Sequence, residues 1–124
     1  MKAMVVDDSK VARFVLTRML NELGYDVVEA VDGAQALTTL AENQDCLLAL
    51  VDWNMPVMNG LELVQAIRQQ EALKELKIIM VSTETEMEQV VRAIEAGANE
   101  YIMKPFTKDI VFDKMRIIGL DGGA

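Results

Sequence analysis

An α/β fold is predicted, with a five-stranded parallel sheet covered by helices on both faces. Three observations predict it. Short apolar runs alternate strictly with amphipathic segments along the chain. One run, Leu47 to Val51, is apolar throughout, as strands buried on both faces are. Cap and turn residues (Ser9, Gly24, Asp32-Gly33, Asn59-Gly60, Gly97) separate the runs from the segments. Strict alternation of this kind implies right-handed crossovers between parallel strands.

The elements follow in order. Met4-Val5-Val6 forms the first strand and ends at Asp7. Residues 10–23 form a helix, because Ala12, Val15, Leu16, Met19 and Leu23 recur at the i, i+3, i+4 spacing of one helical face. Ser9 caps its start and Gly24 stops it. Tyr25 to Ala30 is the second strand, Asp32-Gly33 a turn, and 34–43 a helix through Leu37, Leu40 and Ala41. Leu47 to Val51 is the third strand. Asn59-Gly60 turns the chain into a helix faced by Leu63, Val64 and Ile67. Ile78 to Val81 is the fourth strand, followed by a helix lined by Met87, Val90, Val91 and Ile94 and stopped near Gly97. Tyr101 to Met103 is the fifth strand. Beyond Pro105, the residues Ile110, Val111, Met115 and Ile118 mark a fifth helix.

A length of 124 residues fits one domain, placed at 1–120, with Asp121-Gly122-Gly123-Ala124 expected to be a frayed tail. Folding at this size buries about two-thirds of the unfolded surface, and a hydrophobic content of 52% supplies the core. The nine methionines are expected mostly in that core, with a few on the fourth-helix side as an adaptable partner surface. Cys46 is the only cysteine, so no internal disulfide forms, which suits a reducing compartment. No apolar run approaches the ~20 residues that span a bilayer. Lys2 leads at once into a short apolar run and two aspartates, unlike a signal peptide. A cytoplasmic location without membrane insertion is expected. The net charge of −8, from 20 acidic and 12 basic residues, disfavours nucleic acid, whose phosphates need clustered Lys and Arg.

Open parallel sheets build their sites beyond the carboxyl ends of the strands. Asp7, Asp8, Asp52, Ser82 and Lys104 all fall at such ends. Each has a bland reading when taken alone. Asp7-Asp8 is a solvated strand end, Ser82 a helix N-cap, Lys104 a surface lysine, Trp53 a packing residue and Tyr101 core or edge filler. Convergence of five positions on one edge reverses those readings for the charged groups and Ser82. Three carboxylates close together repel unless a cation neutralises them or their pKa values rise. An oxygen-only donor set selects a hard ion, and Mg²⁺ is the cellular one. The chain has no histidine, which excludes a His-based metal site or general base. Cys46 stands at the other end of its strand. An aspartate beside Mg²⁺ can attack phosphorus and become an acyl phosphate, with the metal screening the incoming charge. Asp52 is assigned as that nucleophile because it ends the most apolar strand. Lys104 supplies a point charge and Ser82 a hydrogen bond to phosphoryl oxygens.

Read together, Asp7-Asp8-Ser9, Asp52-Trp53-Asn54-Met55-Pro56 with Asn59-Gly60-Leu61-Glu62, Val81-Ser82, Ala96-Gly97-Ala98 and Lys104-Pro105-Phe106 resemble the receiver domain of bacterial two-component response regulators. The resemblance runs from Met4 to about Ile118 and is closest to stand-alone chemotaxis regulators of the CheY type. It implies the flavodoxin-like strand order 2-1-3-4-5. It also implies that Asp52 is the phosphoacceptor. Asp8 and Asp52 ligate Mg²⁺ directly together with the backbone carbonyl of Asn54, and Asp7 acts largely through water. Lys104 pairs with the carboxylate or phosphoryl group. Ser82 moves toward the phosphoryl group while Tyr101 turns inward behind it, and Lys104-Pro105 is cis.

Two positions depart from the commonest pattern, Ser82 in place of Thr and Thr83 in place of a small residue. Ser82 keeps the donor but loses a methyl that helps fix the rotamer. Thr83 narrows access to Asp52, so Thr83→Ala is expected to speed phosphorylation by acetyl phosphate; equal rates for the two proteins would reject this. Asn54 and Glu84 flank the path of a hydrolytic water and are candidates for tuning dephosphorylation.

The function expected is a phosphorylation-activated response regulator in chemotaxis or motility signalling, not an enzyme in the usual sense. A histidine kinase would be the phosphodonor and a flagellar-motor component the downstream target. The readout face would be the fourth helix, fifth strand and fifth helix, around Glu86, Tyr101 and Lys108. A receiver of a non-chemotaxis phosphorelay is the nearest alternative. An Asp-nucleophile, Mg²⁺-dependent phosphatase of the haloacid-dehalogenase type is more remote. Such enzymes usually carry a second Asp two residues after the nucleophile, where this chain has Asn54. A phosphate-independent interaction module conflicts with the intact set of acidic, hydroxyl and lysine groups.

Overall fold

Alternating side chains divide the core between the two faces of one sheet. In the computed structural model, which describes residues 1–120, the strands are β1 (Lys2–Val6), β2 (Asp26–Ala30), β3 (Leu48–Asp52), β4 (Lys77–Ser82) and β5 (Glu100–Met103). The helices are α1 (Lys10–Glu22), α2 (Gly33–Glu42), α3 (Gly60–Arg68), α4 (Met87–Ala96) and α5 (Lys108–Ile117). All neighbouring strands pair in parallel, in the order β2-β1-β3-β4-β5. The predicted alternation and strand order are both present. The tail expected at 121–124 lies outside the described residues.

Met4, Val6, Ala49, Val51, Ile78 and Met80 pack with Leu40, Leu63, Val64, Ile67 and Ala93 on one side of the sheet. Ala3, Val5, Leu48, Leu50, Ile79 and Val81 pack with Leu16, Leu20, Val111 and Met115 on the other. Every residue of β3 is buried, as its unbroken apolar run predicts. Residues cross from one cluster to the other at each step, which is the period of two that a strand imposes.

Differences from the sequence reading are local. The Asn59-Gly60 turn is a helix start. Asn59 caps α3 by accepting the Glu62 N–H at 2.8 Å, and the Glu62 carboxylate accepts the Asn59 N–H at 3.0 Å. This reciprocal box satisfies two N–H groups that the first turn leaves open. A one-turn 3-10 helix at Glu71–Leu73 was not foreseen. On α1, Leu20 is buried while Val15 sits on an exposed edge. On α4 only Ala93 is fully buried, and Met87, Val91 and Ile94 face outward. Helical spacing marks a stripe but not which of two adjacent stripes meets the sheet. Among the described residues no helix is long and apolar enough to cross a membrane.

The β3–α3 connection is strained at one point. Val57 has φ 70, and the Met58 N–H donates to the Pro56 carbonyl at 2.7 Å, closing a γ-turn around Val57. A γ-turn with positive φ is strained, most of all for a β-branched residue, whereas glycine adopts positive φ without a Cβ clash. Val57 is 83% exposed, so its side chain gains little from burial. Val57→Gly is expected to stabilise the fold by about 1 kcal/mol, seen as a higher denaturation midpoint at unchanged slope. A lower midpoint would contradict the strain.

Candidate functional site

The sheet register sets the site. Val6 pairs with Val51, Asp52 with Val81, and Ser82 with Met103, so the strand ends lie in one row. Asp7, Asp52, Ser82 and Lys104 continue or end those strands, and Asp8 follows Asp7. Carboxylate oxygens of Asp7, Asp8 and Asp52 lie within 4.8 Å of one another. Asp7 and Asp52 are buried, and Asp8 is exposed at the mouth. The Lys104 ammonium bridges the two buried carboxylates, at 3.1 Å from Asp7 Oδ2 and 3.4 Å from Asp52 Oδ1. The structure thus gathers Asp7, Asp8, Asp52 and Lys104 in one pocket and sets Ser82 at the neighbouring strand end on the same sheet edge.

Local structure holds each group. Asp7 Oδ1 accepts the Ser9 N–H at 2.9 Å, while the Ser9 hydroxyl caps α1 by accepting the Ala12 N–H at 3.2 Å. The Asp7 backbone carbonyl accepts from the Arg13 guanidinium at 2.8 Å, and Arg13 also pairs with Glu29. Sequence reasoning missed Arg13. Its only signal is a basic residue one turn into the helix that the acidic pair precedes. The Lys104 N–H donates to the Ser82 carbonyl at 2.8 Å, which ties its backbone to β4, and the Lys104-Pro105 bond is cis.

Ser82 does not cap α4; Glu86 occupies that position, without a side-chain bond. Instead the buried Ser82 Oγ accepts the Glu84 N–H at 3.1 Å, and the Tyr101 hydroxyl donates to the Glu84 carbonyl at 2.7 Å. The backbone of Glu84 is therefore held by both residues of the expected switch. The Tyr101 ring points inward at 5% exposure, and burial raises the pKa of its phenol. Asn54 lies in the loop after β3 with an exposed side chain, and Thr83 is exposed.

The sequence marks Gly60 only as a turn residue, whereas in the structure its backbone lies directly against that of Asp52 and Trp53. Its N–H donates to the Trp53 carbonyl at 2.8 Å, and a Cβ there would stand 2.3 Å from the Asp52 carbonyl oxygen. Only glycine lets the first turn of α3 abut the Asp52–Trp53 peptide.

Burial raises the Asp52 carboxyl pKa, the Asp7 charge adds to this, and Lys104 opposes it. Burial works against the Lys104 charge, but the Asp52 charge and the Asp7 hydrogen bond outweigh it, so its pKa is raised. One ammonium facing three carboxylates leaves the pocket with excess negative charge. All-oxygen donors with that charge fit a hard divalent cation such as Mg²⁺.

Residues 3–116 match the family model described as the response regulator receiver domain. The chain is 44% identical over 119 residues to chemotaxis protein CheY1 of Helicobacter pylori, covering 95% of this chain and 96% of that one. It is 42% identical over 125 residues to a chemotaxis protein CheY homolog of Campylobacter jejuni, covering 99% and 96%. The structure of the chemotaxis response regulator CheY4 of Vibrio cholerae superimposes with a TM-score of 0.87 at 34% identity, covering 94% of this chain and 97% of that one.

Proposed function

This chain belongs to the response regulator receiver domain family and is homologous to CheY chemotaxis regulators, and from that premise we propose that Asp52 accepts a phosphoryl group from a histidine kinase and thereby switches a signalling surface. A carboxylate oxygen of Asp52 attacks phosphorus, the bond from phosphorus to the donor nitrogen breaks, and the imidazole leaves with its electron pair. Hydrolysis of the resulting mixed anhydride returns the carboxylate. The observation that carries this reading is Lys104 bridging buried Asp7 and Asp52 beside Asp8.

The residues present fit Mg²⁺, which Asp8, Asp52 and the Asn54 carbonyl would hold, with Asp7 acting through water. When bound it supplies positive charge that screens Asp52 from the incoming phosphoryl oxygens. Lys104 keeps its proton and meets a phosphoryl oxygen with a point charge. Ser82 donates a hydrogen bond to another, which draws on the Glu84 backbone that Ser82 and Tyr101 share. Their common hold on that residue, through its N–H and its carbonyl, is how the phosphoryl group biases an equilibrium between two arrangements of the β4–α4 segment.

The readout face is α4, β5 and α5, around Glu86, Tyr101 and Lys108. The outward Met87, Val91, Ile94 and Met103 give it an apolar centre, which suits a protein target such as a flagellar-motor component in the cytoplasm. The chain acts as a phosphoacceptor that catalyses its own turnover and not as a metabolic enzyme. The Asn54 amide has no acidic proton to give a leaving group, so a phosphatase reading lacks its acid. Trp53 fluorescence tests the reading. Beryllofluoride is expected to change the signal only with Mg²⁺ present and only with Asp52 intact; an equal change in Asp52→Asn would reject it.

A further inference from the structure

Trp53 is one peptide bond from Asp52, and its ring is buried at 8% exposure. Its carbonyl is fixed by the Gly60 N–H. From α4, the guanidinium carbon of Arg92 lies 5.9 Å from the centroid of that ring. A guanidinium within about 6 Å of an indole face is attracted by the ring quadrupole. Arg92 makes no ion pair or side-chain hydrogen bond among the described residues, although Glu95 lines the same groove between α3 and α4. The Trp53 ring is thus the partner that orders this head group. α4 has few other anchors, with Val90 and Ala96 packing only partly buried against the core. Ala93 is its only fully buried residue, its N-cap lacks a side-chain bond, and three of its apolar residues face outward. By comparison, α3 buries Gly60, Leu61, Leu63, Val64 and Ile67 and has a reciprocal cap. A helix held by so few contacts lies at the low end of local stability.

We propose that Arg92 is a positioning residue that couples α4 to the phosphoacceptor loop through the Trp53 ring. Movement of the loop when Asp52 changes state alters the ring face that Arg92 covers, and α4 follows. The coupling is reciprocal, so a partner that shifts α4 alters the affinity of the Asp52 pocket for its ligand by the same factor. This rests on the phosphoacceptor reading of Asp52. It is independent of the Glu84 backbone contacts, because Arg92 touches neither Ser82 nor Tyr101 in any hydrogen bond.

Hydrogen exchange of α4, with Mg²⁺ and with or without beryllofluoride, tests the coupling in wild type, Arg92→Ala and Arg92→Lys. Titration of Trp53 fluorescence gives the beryllofluoride affinity of each protein. In wild type, α4 exchange is expected to change on binding. In Arg92→Ala that change shrinks and the affinity falls, each by about two- to five-fold, while Arg92→Lys retains most of both. Thermal melts verify that each variant folds. A merely structural Arg92 would alter melting without altering the response of α4. An α4 response equal in wild type and Arg92→Ala overturns the inference, as does a wild-type α4 that ignores bound beryllofluoride. A wild type that binds no beryllofluoride overturns the phosphoacceptor reading itself, and the inference with it.

Discussion

Asp52→Asn is expected to abolish phosphoryl incorporation and, in the absence of metal, to make the fold more stable at neutral pH. The amide lacks the anionic oxygen that attacks phosphorus, and loss of a nucleophile lowers the reaction on the order of a thousandfold or more. The stability gain has the opposite origin. Burial and the neighbouring Asp7 charge raise the Asp52 pKa in the fold, against the opposing pull of Lys104. From the unfolded value of 3.8 up to the raised folded value, the folded state binds more protons than the unfolded state. Wild-type stability therefore falls as pH rises through that window, and the loss persists at neutral pH. The neutral amide escapes the loss, so the difference between the proteins grows from pH 4 toward pH 7. Mg²⁺ at about a hundred times its Kd adds about 2.7 kcal/mol to the wild type and less to the variant, narrowing the difference. Denaturant unfolding at both pH values, with and without Mg²⁺, measures all of this. A metal-free variant less stable than wild type at pH 7 would contradict it.

Gly60→Ala is expected to destabilise the protein by about 3 kcal/mol and to weaken the Mg²⁺ response about tenfold or more. Helix propensity alone favours alanine by about 1 kcal/mol at an interior position, so the sign separates the two arguments. The added Cβ would meet the Asp52 carbonyl oxygen at 2.3 Å, the Trp53 Cα at 2.9 Å and the Asp52 carbonyl carbon at 3.0 Å. All three are backbone atoms, which cannot rotate away as a side-chain end can. The first turn of α3 must retreat or the Asp52 peptide must tilt, and either displaces the carboxylate from Asp7 and Lys104. Chemical denaturation gives the stability, and a Trp53 fluorescence titration gives the metal response. A variant as stable as wild type with the same Mg²⁺ affinity would show that the approach is not tight.

The architecture was legible because the alternation of β3-like apolar runs with helical stripes has few physical solutions. Strand order came from the resemblance, since the alternation alone does not say which strands are neighbours. Asp7, Asp8, Asp52, Ser82 and Lys104 were legible because a parallel sheet gathers its carboxyl ends at one edge. What stayed hidden depends on contacts between elements. Nothing in the local sequence says that Arg13 reaches the Asp7 carbonyl or that Arg92 covers Trp53. Asn59-Gly60 carries the same turn signal whether its glycine is needed for a turn or for close approach to Asp52. The apolar residues of α4 match a core helix, yet Met87, Val91 and Ile94 face outward. A stripe kept for a partner and a stripe kept for a core have the same spacing.

Intact-mass spectrometry after incubation with acetyl phosphate and Mg²⁺ tests the central claim most directly. One phosphoryl adduct per chain is predicted, lost on treatment with hydroxylamine as mixed anhydrides are, and confined on peptide mapping to the segment containing Asp52. An adduct at Asp7, Asp8 or a hydroxyl side chain, or no adduct on folded protein, would contradict it.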